Sequence, residues 1–312
     1  MAIVGSGALS FQAIQNEFGG SHPISLSEYY RNGGAVPSNN TNVAESGAIN
    51  VGSFYNAVNE IGVTVSSGAS TYNVQTAAFS SYWTTAVPKR LTINGGVTLG
   101  HLTVPANMAG TLIIDNSGAV LGLGGNSAGA AGATAMTIQS TGVTINVAAG
   151  AFIRGGGGAG GNGGTGGQGR TSQGHCTCGG NGLPGCCASY YSDYSNCCGN
   201  DCNNFYGCCT CYVYHSGGAG GAFGRGEGYS QSQANGASGS AGGTNAGAGG
   251  SGGNGGTFGN AGANGATGAN GNHTNGSAGS GGGAAGRAVT FSGVSAYTII
   301  GTNSGTINGA YT

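Results

Sequence analysis

The sequence predicts a mainly β and irregular fold: a small N-terminal docking module, then β-solenoid-like repeats, then a bundle or sandwich of polyglycine-II helices carrying a disulfide-rich loop. Three observations predict it. Glycine makes up 73 of the 312 residues and charged residues only 5%, a composition outside the ordinary globular range. Short runs of alternating apolar and polar residues fill the stretch from 60 to 153. Beyond residue 154, side chains fall on every third position, a period that neither an α-helix nor a β-strand keeps.

Residues 1–59 state one small theme three times: GALSFQAIQNEF from Gly7, HPISLSEYY from His22 and GAINVGSFYNA from Gly47. In each, an apolar residue (Leu9, Ile24 or Leu26, Ile49) leads through Ser or Asn into a short helical turn that ends in aromatics. The units are too short for a large core, so 1–59 is read as a mini-domain with aromatic packing and, because small cores need partners, is expected also to be a docking module.

Residues 60–153 hold LTINGGVTL, LTV, GTLIID, MTI and VTINV between Gly, Asn and Pro corners. An internal repeat aligns GTLIIDNSGAVLGLGG from Gly110 with GVTINVAAGAFIRGGG from Gly142, matching Ile113 to Ile145, Gly118 to Gly150, Val120 to Phe152 and Leu121 to Ile153. NSGTINGA from Asn303 mirrors NSGAVLG from Asn116, which places 288–312 as C-terminal strands on the β-repeat. Stacked short strands with Gly and Asn corners suggest a β-solenoid.

Both repeats run on into glycine. In RGGGGAGGNGGTGGQGR, from Arg154 to Arg170, the side chains are Ala159, Asn162, Thr165 and Gln168; GGAGGAFGRG from Gly217 keeps the rule with Ala219, Ala222 and Arg225. From Gly247 to Gly271 glycine recurs at every third position without a miss. Three is the period of polyproline-II-type helices, which rise about 3.1 Å per residue, so 155–169 would span on the order of 46 Å. Ordering glycine costs roughly 1–2 kcal/mol per residue. Tracts laid side by side offset that with hydrogen bonds worth about 0.5–1.5 kcal/mol each, net. Collagen would need abundant proline, and the chain has five, none of them in a tract. A bundle over 154–287 requires reversals, expected at 170–216, 227–235, 244–246 and 272–275, with Phe258 as a further break.

The first reversal is long enough to be functional, with an insertion over 171–216. It holds all ten cysteines: Cys176, Cys178, Cys186, Cys187, Cys197, Cys198, Cys202, Cys208, Cys209 and Cys211. His175 and His215 flank them, but zinc sites use C-x2-C knuckles and none occurs here, so disulfides are expected and no metal or cofactor is. Tyr190, Tyr191, Tyr194, Phe205, Tyr206, Tyr212 and Tyr214 are packed among the cysteines, in excess of what a small disulfide knot needs. Tyrosine gives large contact area for little lost entropy, so these residues, with Asp193 and with His273 of the NHTN reversal, are the candidate receptor-binding set.

A net charge of −1 argues against nucleic acid, and no apolar run has the length of a membrane span. MAIVGSGALSFQAIQNEF lacks the basic and apolar regions of a cleaved signal, while the cysteine density points to an oxidising compartment; cytosolic synthesis with use outside the cell is expected.

FGGSHPISLSEYYRNGG and SGAINVGSFYNA resemble a module of phage tail structural proteins, and GGGAAGRAV near the C-terminus resembles the glycine-rich adhesins of T-even-like phages. The chain thus resembles tail-fibre and fibre-tip adhesins of tailed bacteriophages. That resemblance implies a polyglycine-II sandwich whose loops bind a bacterial surface protein or glycan. It also implies docking to phage tail or baseplate proteins, allows a homotrimer, and places the protein in the virion after synthesis in the host cytoplasm. A decoration or structural fibre protein without a receptor, and a disulfide-linked glycine-rich ice-binding protein, are the alternatives. No catalytic residue is assigned: of the three Asp, only Asp115 lies in the β-repeat, and no GxSxG elbow is present.

Overall fold

The computed structural model describes residues 3–37, 40–177, 208–294 and 299–310; over 173–177, 208–211 and 299–302 it describes the backbone alone. At the N-terminus, helix α1 (Phe11–Phe18) starts where the Ser10 hydroxyl accepts the Ala13 amide at 3.2 Å. It ends at Gly19, whose φ of 75° turns the chain and whose amide donates to Gln15 O. Short 3-10 turns follow at Leu26–Tyr29 and Val51–Phe54, entered at Ser25 and Asn50. The three echoes of the sequence are therefore three helical turns, each preceded by a half-buried Leu9, Ile24 or Ile49 and closed by Phe18, Tyr29 or Phe54. Those three rings meet with centroids 6.1–6.4 Å apart, the Tyr29–Phe54 pair edge-on. Ile3, Ile14, Val36, Val43 and Ala57 complete the cluster. Tyr29 OH donates to Gly19 O at 2.7 Å, and burial pushes its phenol above the ordinary value.

The β-region contains β1 (Ile61–Val65), β2 (Ala69–Asn73), β3 (Lys89–Ile93), β4 (Thr98–Val104), β5 (Leu112–Asn116), β6 (Ala119–Leu121), β7 (Met136–Ile138), β8 (Val143–Val147) and β9 (Phe152–Arg154). After them come a hairpin, β10 (Gly169–Thr177) and β11 (Cys208–His215), and then β12 (Val289–Phe291), β13 (Ile299–Asn303) and β14 (Thr306–Asn308). One sheet runs β1-β3-β5-β8-β13; the other runs β12-β7-β4-β6-β9-β14, with β2 also on β4, and every pairing in both is parallel. Inward residues alternate as the period-two pattern requires: Leu91, Ile93, Leu112, Ile114, Val143 and Ile145 of the first sheet share one core with Leu99, Leu102, Val120, Met136, Ile138 and Ile153 of the second. Trp83 closes that core, its indole donating to Ala106 O at 2.9 Å.

The expected fold class is mainly β as read, and is corrected on two points. The β-repeat is not a solenoid: after β6 the chain leaves through 122–133 and re-enters the same sheet as β7, so successive passes are not equivalent coils of one helix. Nor is a bundle of polyglycine-II helices what the structure shows; the described residues of the tracts carry no α-, 3-10 or π-helix, and their order comes from cross-links between tracts. The register of the internal repeat is also one residue off. Ile114, not Ile113, lies beside Ile145, and Val120 lies beside Ile153 rather than Phe152, because those are the residues that face the core. The C-terminal mirror is in register: Val120 and Ile307 both pair with Ile153.

Two charged residues of β3 are placed differently. Lys89 is 1% exposed, and its ammonium donates to Thr85 O, Val87 O and Ala109 O, each at 2.9 Å; burial lowers its pKa below the ordinary lysine value. Arg90 bonds Glu60 at 3.0 Å and Asp115 at 2.5 Å, and Asp115 in turn accepts from Asn146 at 2.7 Å. The hydrogen bonds that Arg90 donates to Glu60 and Asp115 hold its guanidinium charged more firmly than usual.

Beyond the sheets, tract 155–168 is surrounded by others. The amides of Gly157, Gly160, Gly163 and Gly166 donate to Glu227, Gly224, Gly221 and Gly218, and those of Gly158, Gly161, Gly164 and Gly167 to Asn260, Ala263, Ala266 and Ala269, all at 2.8–3.0 Å. The carbonyls of Gly158, Gly161, Gly164 and Gly167 accept from Gly256, Gly253, Gly250 and Gly247, while those of Gly156, Ala159, Asn162 and Thr165 accept from Gly286, Gly283, Ser280 and Ser277. Every third residue thus addresses the same neighbour. The reversals that make this possible lie at 228–231, 243–246, 258–259 and 272–274, besides the β10–β11 hairpin.

Close approach is what demands glycine here. A Cβ at Gly161 would lie 1.9 Å from Ser280 O, whereas one at Gly281 would find nothing nearer than 3.9 Å. We expect Gly161→Ala to lower stability by roughly 1–3 kcal/mol or more, as overpacking does, and Gly281→Ala to stay within about 0.5 kcal/mol of the parent, both read by chemical denaturation. Lys89→Ala should cost about 3 kcal/mol in the same assay, because it opens a cavity and leaves three part-buried carbonyls without their donor.

Candidate functional site

One end of the glycine array abuts the sheets, where the Gly155 amide donates to Asn308 O and the Tyr229 amide to Gly122 O. The other end gathers three separate reversals: the base of the β10–β11 hairpin, 243–246 and 272–274. Asn272 fastens two of them, its Oδ1 accepting the Arg170 amide at 2.7 Å and its Nδ2 donating to Arg170 O at 3.0 Å. Asn245 donates to the same carbonyl at 3.3 Å, the Asn272 amide donates to Asn245 O at 3.0 Å, and the His273 amide reaches Gln168 O at 3.1 Å. Asn245 adopts φ 57°, a left-handed turn conformation that asparagine tolerates better than most residues.

The hairpin leaves this knot with a defined pattern of faces. Arg170 lies opposite Tyr214 and Ser172 opposite Tyr212, so these four share one face; Thr171 lies opposite Val213 on the other. On that second face Thr171 Oγ1 and His215 Nε2 are 3.0 Å apart. On the first, the Arg170 guanidinium stands over the Tyr212 ring at 4.6 Å, and the His273 ring lies 4.7 Å from the Tyr214 ring, tilted by 53°. Tyr212 and Tyr214 are 41% and 39% exposed, unusual for large aromatics so firmly braced.

Of the residues expected to bind a receptor, the structure therefore brings together Tyr212, Tyr214 and His273. Tyr190, Tyr191, Asp193, Tyr194, Phe205 and Tyr206 lie outside the described residues. So does the disulfide expectation: Cys178, Cys186, Cys187, Cys197, Cys198 and Cys202 are outside, and Cys176, Cys208, Cys209 and Cys211 are described by backbone alone, with Cys176 opposite Cys209 in the hairpin register. Sequence reasoning missed Arg170, Thr171, His215, Asn245 and Asn272 as parts of the site. Their only signal was position, since Arg170 closes a tract and both asparagines sit in reversals.

Asp115 belongs elsewhere. It borders a depression of about 330 Å³ with Asn116, Ser117, Asn146 and Ser304, but its carboxylate is engaged by Arg90 and Asn146, in an ion-pair ladder across β3, β5 and β8. Among the described residues no helix is long and apolar enough to cross a membrane.

No protein-family model matches the chain, and no curated protein does. Among solved structures, the chain is similar to the crystal structure of the gp37-gp38 adhesin tip complex of the bacteriophage S16 long tail fiber, at 18% identity and a TM-score of 0.40, over 99% of this chain and 100% of that one. A TM-score of 0.40 does not amount to a shared fold.

The pair of hydrogen bonds between the Asn272 side chain and the Arg170 backbone holds the hairpin to the array. Asn272→Ala should cost about 1–2 kcal/mol locally, seen as roughly 5- to 30-fold faster amide exchange at Arg170 and Thr171, with exchange in the β-core unchanged.

Proposed function

We propose that this chain is a non-enzymatic structural protein of a tailed-bacteriophage tail fibre, acting as a host-receptor-binding adhesin. In this reading residues 1–59 dock to tail or baseplate proteins, the two sheets set direction, and the glycine array carries the binding surface away from the attachment point. The protein would be made in the host cytoplasm and act on the virion.

The observation that carries the proposal is the convergence at the far end of the array. Three reversals distant in sequence are tied into one surface by backbone and asparagine hydrogen bonds, and that surface presents two braced, exposed tyrosines. A surface ordered before binding loses less entropy on contact, so a modest aromatic patch suffices. Several copies on one particle would multiply weak contacts by avidity. The motifs shared with phage tail modules supply the class of biological object, and the sparse charge fits recognition by shape and aromatic contact rather than by a broad electrostatic field.

The test is adsorption of fluorescently labelled full-length protein to a broad panel of bacterial strains. We expect saturable adsorption to a subset of strains, reduced at least about 10-fold, or roughly 1.4 kcal/mol, in the Tyr212→Ala/Tyr214→Ala double variant with unchanged thermal unfolding. Undiminished adsorption by a folded double variant, or no adsorption to any strain by the parent, would overturn it.

A further inference from the structure

The surface at the end of the array has a chemical asymmetry that adhesion in general does not require. Among the described residues Arg170 is the one cation on it, and its guanidinium is stacked on Tyr212 at 4.6 Å. Among the described residues no carboxylate pairs with it and no hydrogen bond engages its side chain; the bonds made at Arg170 use its backbone N–H and C=O. Arginine is the side chain whose planar fork matches a carboxylate or phosphate and which tolerates stacking on an aromatic ring. Its orientation is imposed from both sides, by the ring of Tyr212 and by the Asn272 clamp on its backbone.

Tyr212 and Tyr214 are two residues apart on one strand, hence on one face and about 6–7 Å apart along it. They form a short aromatic row, extended by His273 at Tyr214. The faces of such rings carry partial negative charge and attract the polarised C–H bonds of a sugar ring. Around the row stand exposed hydroxyls, from Ser172 of the same hairpin face and from Thr274 of the adjoining reversal, the latter accepting the Gln168 amide and keeping its own proton to donate. Aromatic planes, neutral hydrogen-bonding groups and one guanidinium without a carboxylate partner among the described residues together are the chemistry that recognises a sugar carrying an anionic substituent.

We propose that this surface binds an acidic glycan, its pyranose rings on Tyr212 and Tyr214 and its phosphate or carboxylate on Arg170. The inference rests on the adhesin reading above and names the receptor's chemistry. The test measures binding of the intact protein, by saturation-transfer NMR and calorimetry, to two sets of short oligosaccharides. One set carries phosphate and the other uronic acid, each beside its phosphatase-treated or carboxyl-reduced counterpart. We expect at least one acidic oligosaccharide to bind and its neutral counterpart to bind at least 10-fold more weakly. Arg170→Gln should erase that difference, Arg170→Lys should restore it only in part, and Tyr212→Ala should weaken both forms. Which set binds tells phosphate from carboxylate.

Binding of acidic and neutral forms with equal affinity would overturn the role of Arg170. Absence of any oligosaccharide binding, while the protein still adsorbs to cells and loses that adsorption when the cells are treated with protease, would overturn the glycan and leave an adhesin for a protein receptor. Absence of adsorption altogether would overturn the adhesin reading itself.

Discussion

The structure depends on one constraint: backbone N–H···O=C bonds join chain segments so close that the glycine packed against a neighbouring carbonyl cannot carry a Cβ. At Gly163 an added Cβ would lie 2.0 Å from Gly250 O, and at Gly265 one would lie 2.0 Å from Asn162 O. The number of glycines per triplet consequently reports how many neighbours a tract has. Tract 155–168 is surrounded, and two of every three residues are glycine. Tract 260–271 keeps one in three, and those glycines, Gly262, Gly265, Gly268 and Gly271, are the ones a Cβ would drive into the carbonyls of Ala159, Asn162, Thr165 and Gln168. The intervening Ala, Asn and Thr face away, most of them exposed.

Where the neighbouring backbone offers an amide no carbonyl, side-chain oxygens take its place. The amides of Asn162, Thr165 and Gln168 donate to the hydroxyls of Ser280, Ser277 and Thr274 at 2.7–2.8 Å. Asn162, Asn254, Asn264 and Asn270 accept the amides of Phe223, Gly236, Gly282 and Gly276. Small polar residues therefore complete a hydrogen-bond inventory that backbone alone leaves open. The same device ends the array: Asn245 and Asn272 bond the backbone of Arg170 and so hold the hairpin that bears Tyr212 and Tyr214. Scaffold and candidate site are continuous in physical terms, one set of backbone bonds ending in an aromatic surface.

Much of this was legible before any coordinates. The three N-terminal echoes could be read because each needs a capping residue, a staple-like apolar residue and an aromatic in fixed order, and Phe18, Tyr29 and Phe54 do meet. The reversals at 243–246 and 272–274 fall where the period of three breaks, and Phe258 marks another. Register was harder. Aligning Ile113 with Ile145 is natural by identity, yet parallel pairing puts Ile114 there, since a slip of one residue exchanges the inward and outward faces. The expectations of a solenoid and of polyglycine-II helices failed for a related reason: a repeat in sequence specifies equivalent local environments, not the path by which the chain connects them. For the site, Tyr212, Tyr214 and His273 were named from residue type, but their bracing by Arg170 and Asn272 joins positions about a hundred residues apart along the chain.

The sequence by itself determined which backbone positions must stay bare, where apolar residues alternate, and where the chain must turn, because these follow from local sterics and from periods of two and three. Only the tertiary structure decided which tract lies beside which, that Lys89 is buried among three carbonyls while Arg90 beside it joins Glu60 and Asp115, and that Tyr214 meets His273. Glycine has no side chain with which to choose a partner. The choice falls to the lengths of the tracts and the reversals between them, which act only once the whole array has assembled.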